Sequence, residues 1–352
     1  MIVRKKTRKV MVKNLQIGDY ASVVIQSMTN VDPCDIESLL CQIEQLAKAG
    51  CKIARLTVPD ENAAAAFASV RKQTSMPLVA DIHFNYRLAI AAIEAGADKI
   101  RINPGNIGSE DRVKAVIDAA RLARIPIRIG VNSGSLEKSL LEKYGGPTPE
   151  ALTESALGFI NLMEKFGFGD IVLSIKASDV LTTIRACRLL AEKSDVPQHI
   201  GITESGTVRS GSIRSAVGIG TLLAEGIGDT IRVSLAGDPV KEIYVAKEIL
   251  KSLDLEKGPV VIACPTCGRT QIDVEDLASK VEELVANITK PIKIAVMGCV
   301  VNGPGEAKDA DIGVAGGKHE GLIFVKGKQA MKVPEKDLLA TLKRYIDEFT
   351  VS

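Results

Sequence analysis

Between residues 21 and 251 the chain repeats one pattern eight times, a short β-branched-rich strand followed by a helical stretch, and that count limits the fold more than any other feature. The strand segments are Ser22–Met28, Lys52–Val58, Leu78–His83, Lys99–Asn103, Ile127–Asn132, Ile171–Ala177, His199–Glu204 and Thr230–Leu235. Several are nearly apolar throughout, as parallel strands covered on both faces are. The helical stretches between them, such as Ile36–Ala49, Asn85–Ala95, Asp111–Ala123 and Val240–Leu250, stop at glycine or before proline, as at Ala49-Gly50 and Ile125-Pro126. Eight such units predict a closed (β/α)8 barrel. An open dinucleotide-binding sheet would carry a Gly-rich turn after its first strand, and Gln26-Ser27-Met28-Thr29-Asn30 is not one.

The rhythm breaks at Glu256-Lys257-Gly258-Pro259. This predicts an α/β chain of two domains: a TIM-like barrel over 1–256 and a small α+β domain over 257–352. The second reads as strand Val260–Ala263, helix Val274–Ile288, strands Lys293–Met297, Asp311–Val314 and Leu322–Val325, and helix Glu335–Phe349. At the start, Val10, Val12, Leu15 and Ile17 alternate around Lys13-Asn14. They predict a solvated edge hairpin for the basic N-terminal stretch rather than a nucleic-acid arm. A net charge of +2 among 352 residues marks neither a nucleic-acid footprint nor an acidic partner. The sequence offers no secretory leader and no window long enough to span a membrane, so reduced thiols in a cytoplasm are expected.

Chemistry in such barrels sits at the C-terminal strand ends. Those ends carry Arg55, Asp81, His83, Arg101, Asn103, Arg128, Asn132, Lys176, Glu204, Arg232 and Ser234. The charged residues alternate with Leu56, Ile102, Ile129, Ile175 and Val233, so by the period of two they share the inner face while their neighbours face the helices. Four arginines and a lysine cannot pack as an apolar layer, and Asp81 with Glu204 cannot neutralise them. The mouth therefore reads as a polyanion site, most simply for a diphosphate. Asp81, His83 and Glu204 are its candidates for proton transfer. Ser210–Ala216, opening a helix after the seventh strand, offers free amides as a weaker phosphate cradle.

Seven cysteines fall into two groups. Cys34, Cys41, Cys51 and Cys187 read as buried small hydrophobes. Cys264 and Cys267, in Cys-Pro-Thr-Cys, and Cys299, in Gly-Cys-Val-Val-Asn-Gly-Pro-Gly-Glu, occupy two Gly/Pro-rich turns. Three soft ligands suit an iron–sulfur cluster or zinc, and spacing alone does not choose Glu306 over His319 as a fourth.

Together these strings resemble the 4-hydroxy-3-methylbut-2-enyl diphosphate synthases of the non-mevalonate isoprenoid pathway, in their compact bacterial form. The stretches carrying the resemblance are Arg101–Asn106, Arg128–Leu136, Gly218–Gly220, Gly226–Leu235, Cys264–Arg269 and Gly298–Ala307. The resemblance implies a [4Fe-4S] cluster on Cys264, Cys267, Cys299 and Glu306. It implies reductive ring opening and dehydration of 2-C-methyl-D-erythritol 2,4-cyclodiphosphate, with electrons from reduced flavodoxin or ferredoxin. Arg55, Arg101, Arg128, Lys176 and Arg232 would hold the diphosphate, and Glu204 would protonate the departing hydroxyl. It further implies a homodimer in which one chain's cluster domain caps the other's barrel. Two other readings compete: a pterin-type (β/α)8 transferase, which needs no cysteine domain, and a zinc-stapled binding module with His319 as fourth ligand, which would want a basic face with aromatics where the chain offers only Phe324 and a few lysines.

Overall fold

A computed structural model describes residues 2–286, 288–299, 301, 305 and 309–351. The chain divides into two compact units, Met1–Leu255 and Glu256–Ser352. Among the described residues no helix is long and apolar enough to cross a membrane.

The first unit is the eight-stranded parallel barrel. Its strands are β3 (Val24–Met28), β4 (Ile53–Thr57), β5 (Leu78–Asp81), β6 (Lys99–Ile102), β7 (Ile127–Asn132), β8 (Ile171–Lys176), β9 (His199–Ile200) and β10 (Thr230–Ile231). They pair in the order β8-β7-β6-β5-β4-β3-β10-β9. A parallel bridge between Leu173 and Gln198 joins the two remaining edges and closes the ring. Residues of even parity on β4, such as Ala54 and Leu56, and their counterparts Ile100, Ile102, Ile129, Ile175 and Val233 are buried under the helices. Opposite parity turns the charged side chains inward, as the alternation requires. β9 and β10 are shorter than the sequence suggests. Gly201 lies so close to the Arg232 carbonyl that a Cβ there would stand 2.4 Å from its oxygen, and Glu204 then turns into the left-handed region at φ 51°.

The N-terminal hairpin, β1 (Val10–Val12) and β2 (Leu15–Ile17), pairs Val10 with Ile17. It is not the solvated edge that its basic flanks suggest. Val10, Val12 and Ile17 are fully buried against Val24, Ile53, Val79 and Val172, the inward residues at the starts of β3, β4, β5 and β8. The hairpin thus floors the barrel, each such aliphatic side chain contributing about 1.5–3 kcal/mol. The basic residues tie it down: Arg4 pairs with Asp229 at 2.9 Å, and Arg8 with Asp195 at 2.6 Å and Glu164 at 2.9 Å. Cys51 and Cys187 are buried, and burial pushes their thiols up to about 11 and about 12. Cys34 and Cys41 depart from expectation and are exposed, Cys34 before the helix Ile36–Ala49 and Cys41 on its outer face.

The second unit is a five-stranded sheet, β11 (Val260–Ala263), β12 (Lys293–Met297), β13 (Ile312–Gly317), β14 (Glu320–Val325) and β15 (Lys328–Pro334), in sequence order. β11, β12 and β13 run parallel, and β14 and β15 return antiparallel. Helices Val274–Val285 and Leu338–Val351 cover one face through Val281, Leu342 and Ile346. A smaller apolar layer of Ala295, Met297, Ala315 and Phe324 lies in a separate cluster.

Candidate active site

Parallel strands end together, so the inward charges of the barrel converge at its mouth. Arg55, Asp81, His83, Arg101, Arg128, Asn132, Lys176, Arg232 and Ser234 line one cavity of about 170 Å³, with Ser174 and Thr203. That is room for the equivalent of roughly five or six waters, suited to a small polar group. The register accounts for the assembly: Arg55 pairs with Met28, Asp81 with Arg101, Arg101 with Arg128, and Asn132 with Lys176 across neighbouring strands. Gly130 makes the packing possible, because a Cβ there would lie 2.7 Å from Arg101 Nη2.

Two carboxylates serve these five cations. Asp81 takes Arg101 Nη1 at 3.2 Å and lies 3.7 Å from Arg55 Nε. Glu242, from the helix Pro239–Ser252, takes Arg232. Among the described residues three positive charges remain uncompensated. Arg128 and Lys176 form no ion pair among the described residues, although Arg128 is 1% exposed and its Nε and Nη1 have no hydrogen-bond acceptor. A buried guanidinium without an acceptor is costly and calls for an anionic partner. The titration directions agree. Burial, with Arg232 and Arg101 nearby and Asp81 opposing, pulls Arg55 down to about 10. Burial and then Arg128, Arg55, Arg232 and Arg101 hold Lys176 well below the usual ammonium range. Burial raises the Asp81 carboxyl, but Arg55, Arg101 and Arg128 outweigh it and keep it below the ordinary value. Met28 offers its thioether to both flanks, accepting from Arg55 Nη2 at 2.8 Å and facing Arg232 Nη1 at 3.7 Å. The Asn132 amide, with its oxygen turned toward Arg101, accepts from Nη2 at 3.2 Å.

Two residues read from the sequence stand outside this lining. Asn103 accepts from Gly105 N at 3.1 Å, capping the short helix Pro104–Ile107, and donates to Ser135 Oγ at 2.9 Å. Glu204 is exposed, beside the lining residue Thr203. Serines and glycines over 210–216 do not open the helix, which starts earlier, at Val208. His199 is buried in the barrel, its Nδ1 2.7 Å from Thr230 Oγ1. Burial first, then Arg128, Lys176, Lys99 and Arg55, hold it well below 6.5, so it is neutral in the fold. The unfolded chain binds this proton below about pH 6.5 and the folded barrel does not, so the contribution is fully present above that pH and lost as pH falls. Melting temperatures should therefore decline from pH 7 to pH 5, with a slope of at most about 1.4 kcal/mol per pH unit from this group. His199→Gln should flatten that decline; an unchanged slope would contradict it.

In the second unit β11 and β12 end side by side, with Ala263 opposite Val296. Cys264 follows β11 directly and Cys299 follows β12 by two residues. Cys264 Sγ accepts from Gly298 N at 3.1 Å, which holds the two turns together. Gly298 is required there, since a Cβ would come within 2.8 Å of the Thr270 and Val274 side chains. Cys267 N donates to Thr270 Oγ1 at 3.0 Å, and the Arg269 backbone N–H holds the Cys267 thiol below its ordinary value, favouring thiolate. All three thiols are free. Among the described residues no three His, Cys, Asp or Glu side chains converge as for a single ion. Glu306 lies outside the described residues; His319 is exposed in the turn between β13 and β14 at φ 59°.

The GcpE TIM-barrel domain matches residues 7–247, and the GcpE protein C-terminal domain matches residues 260–348. A 4-hydroxy-3-methylbut-2-en-1-yl diphosphate synthase (flavodoxin) of Caldanaerobacter subterraneus subsp. tengcongensis is 58% identical over 347 residues, 98% of each chain. One of the same name from Clostridium perfringens is 57% identical over 345 residues, 98% of this chain and 99% of that one. Among solved structures, a Yersinia pestis dihydropteroate synthase superposes with a TM-score of 0.48 at 13% identity, over 70% of this chain and 98% of the other.

Proposed function

Because the chain belongs to the 4-hydroxy-3-methylbut-2-en-1-yl diphosphate synthase family, we propose that its barrel mouth binds 2-C-methyl-D-erythritol 2,4-cyclodiphosphate and that a [4Fe-4S] cluster on the second unit supplies two electrons for opening the ring. The observation carrying this reading is the buried Arg128 guanidinium without an acceptor, in a ring with three surplus positive charges.

Arg55, Arg101, Arg128, Lys176 and Arg232 grip the diphosphate. Their fork geometry takes phosphate oxygens two at a time. Ring opening cleaves one carbon–oxygen ester bond and leaves an additional negative charge on the freed phosphate oxygen. A preorganised cationic mouth stabilises that charge as it develops. Two electrons and a proton convert the cyclic dianion into the linear trianion and water. That proton goes to the departing hydroxyl, and Glu204 at the rim is the proposed donor, with His83 and Asp81 as the titratable groups of the lining. Asp81 is held ionised by its arginines, which suits it to orienting Arg55 and Arg101 rather than giving a proton.

The donor set fits the cluster. Cys264, Cys267 and Cys299 occupy two turns at one sheet end, and cluster ligands bind different irons, so they need not converge as ligands of one ion do. When bound, the cluster supplies one-electron transfers at an iron whose carboxylate ligand, Glu306, is more readily displaced than thiolate. The relatives' names point to reduced flavodoxin as the electron source, with ferredoxin of equivalent chemistry. A homodimer would let the cysteine unit of one copy serve the barrel of the other. A pterin-type transfer would use the barrel alone and leave the cysteine turns without a role. Anaerobic purification with iron and sulfide analysis tests the reading. Four irons and four sulfides per chain are expected, and Glu306→Ala should lose both cluster content and activity; unchanged values would remove Glu306 as the ligand.

A further inference from the structure

Arg232 differs from the other four cations of the mouth in being held from behind by a helix. Glu242 belongs to the first turn of the helix Pro239–Ser252 and is 2% exposed. Its Oε1 accepts from Arg232 Nη2 at 3.1 Å and from Leu235 N at 3.1 Å. Its Oε2 accepts from Arg232 Nε at 3.2 Å and from Ser27 Oγ at 2.7 Å. Four donors from two strand ends thus fix both oxygens, and the helix N-terminus favours the negative charge. Glu242 takes the Nε–Nη2 edge of the guanidinium, so Nη1, 3.7 Å from the Met28 thioether, is the nitrogen left for a ligand.

We propose that Glu242 is a positioning residue: it touches no substrate, but it aims Arg232 at the phosphate oxygen freed when the ring opens, and it locks the end of β3 to the loop after β10 through Ser27 and Leu235. This rests on the diphosphate reading of the mouth. A bidentate partner matters here because arginine has several rotatable bonds, and small errors in aim reduce stabilisation of a charge that exists only in the transition state.

The test pairs steady-state kinetics on the cyclodiphosphate with competitive inhibition by inorganic pyrophosphate, using the anaerobically loaded protein. Glu242→Gln removes a negative charge from behind the mouth while keeping the shape. It should lower kcat by about 10- to 100-fold, leaving the pyrophosphate inhibition constant unchanged or tighter. Glu242→Asp, which keeps the charge, should recover part of the lost kcat. In the Arg232→Met background Glu242→Gln should cost no further activity and should raise the melting temperature, because the single Arg232→Met change leaves a buried carboxylate without its cation. Wild-type kcat in Glu242→Gln, or additive losses in the double variant, would overturn the proposal. A parallel fall in kcat, pyrophosphate binding and cluster content would also overturn it, by marking a structural role. Failure of the wild-type protein to bind pyrophosphate would instead remove the diphosphate reading itself.

Discussion

Arg128→Met should make the protein more stable and nearly inactive. Arg128 is buried to 1% exposure with two guanidinium nitrogens lacking acceptors, so in the free enzyme its desolvation cost is only partly offset, by attraction to Asp81. Methionine matches the unbranched stem of arginine and ends, without a charge, where the guanidinium begins. Removing unsatisfied buried donors recovers about 1–3 kcal/mol each, equivalent to a rise of several degrees at ~2–4 °C per kcal/mol for a domain of this size. Truncating one partner of a buried charge pair costs about 2–5 kcal/mol of binding, so kcat/KM should fall roughly 30- to 5,000-fold. The two halves diverge further with ligand: pyrophosphate should raise the melting temperature of the wild-type protein and leave that of Arg128→Met unmoved. Thermal melts with and without pyrophosphate, beside kinetics, check both. A variant less stable than wild type and still responsive to pyrophosphate would show that Arg128 is satisfied within the fold.

Cys299→Ala should remove catalysis completely while leaving the mouth intact. Cys299 stands at the end of β12, in the unit that does not supply the cation ring. Its loss would take one thiolate from the donor set proposed above with Cys264, Cys267 and Glu306, and iron and sulfide per chain should fall far below the wild-type content. Pyrophosphate affinity should stay within about two-fold, because Cys299 is not among the residues lining the cavity. Full iron content with full activity would exclude Cys299 as a ligand.

The barrel and its inward charges were legible because both rest on short-range periodicity. A strand alternates its faces wherever it lies, so Arg101 beside Ile102 and Arg128 beside Ile129 announce one charged face and one apolar face. What escaped depends on contacts between distant segments. Glu242 acts ten residues from Arg232, across a turn. Its one local cue was an acid on the helix stripe shared with Ile243, Ala246 and Leu250. β15 escaped because five of its first six residues, all but Val333, are exposed, and it lacks apolar alternation. The hairpin's floor role was hidden by the basic residues around it, of which Arg4 and Arg8 pair with Asp229, Asp195 and Glu164, far along the chain. Asn103 ends a strand and so reads as part of the mouth, but a residue before proline also suits a helix cap, and its oxygen is used there.

In the proposed function a soft-ligand redox centre and a cationic diphosphate pocket belong to one reaction. A single-turnover assay decides it: anaerobically prepared protein is mixed with 2-C-methyl-D-erythritol 2,4-cyclodiphosphate and a chemical reductant held at two electrons per substrate, because one cluster passes a single electron at a time. Conversion to 4-hydroxy-3-methylbut-2-enyl diphosphate, with return of the oxidised visible absorption in step with product, is the predicted result. Iron-replete, reduced protein that binds the cyclodiphosphate yet yields no product and stays reduced would contradict it.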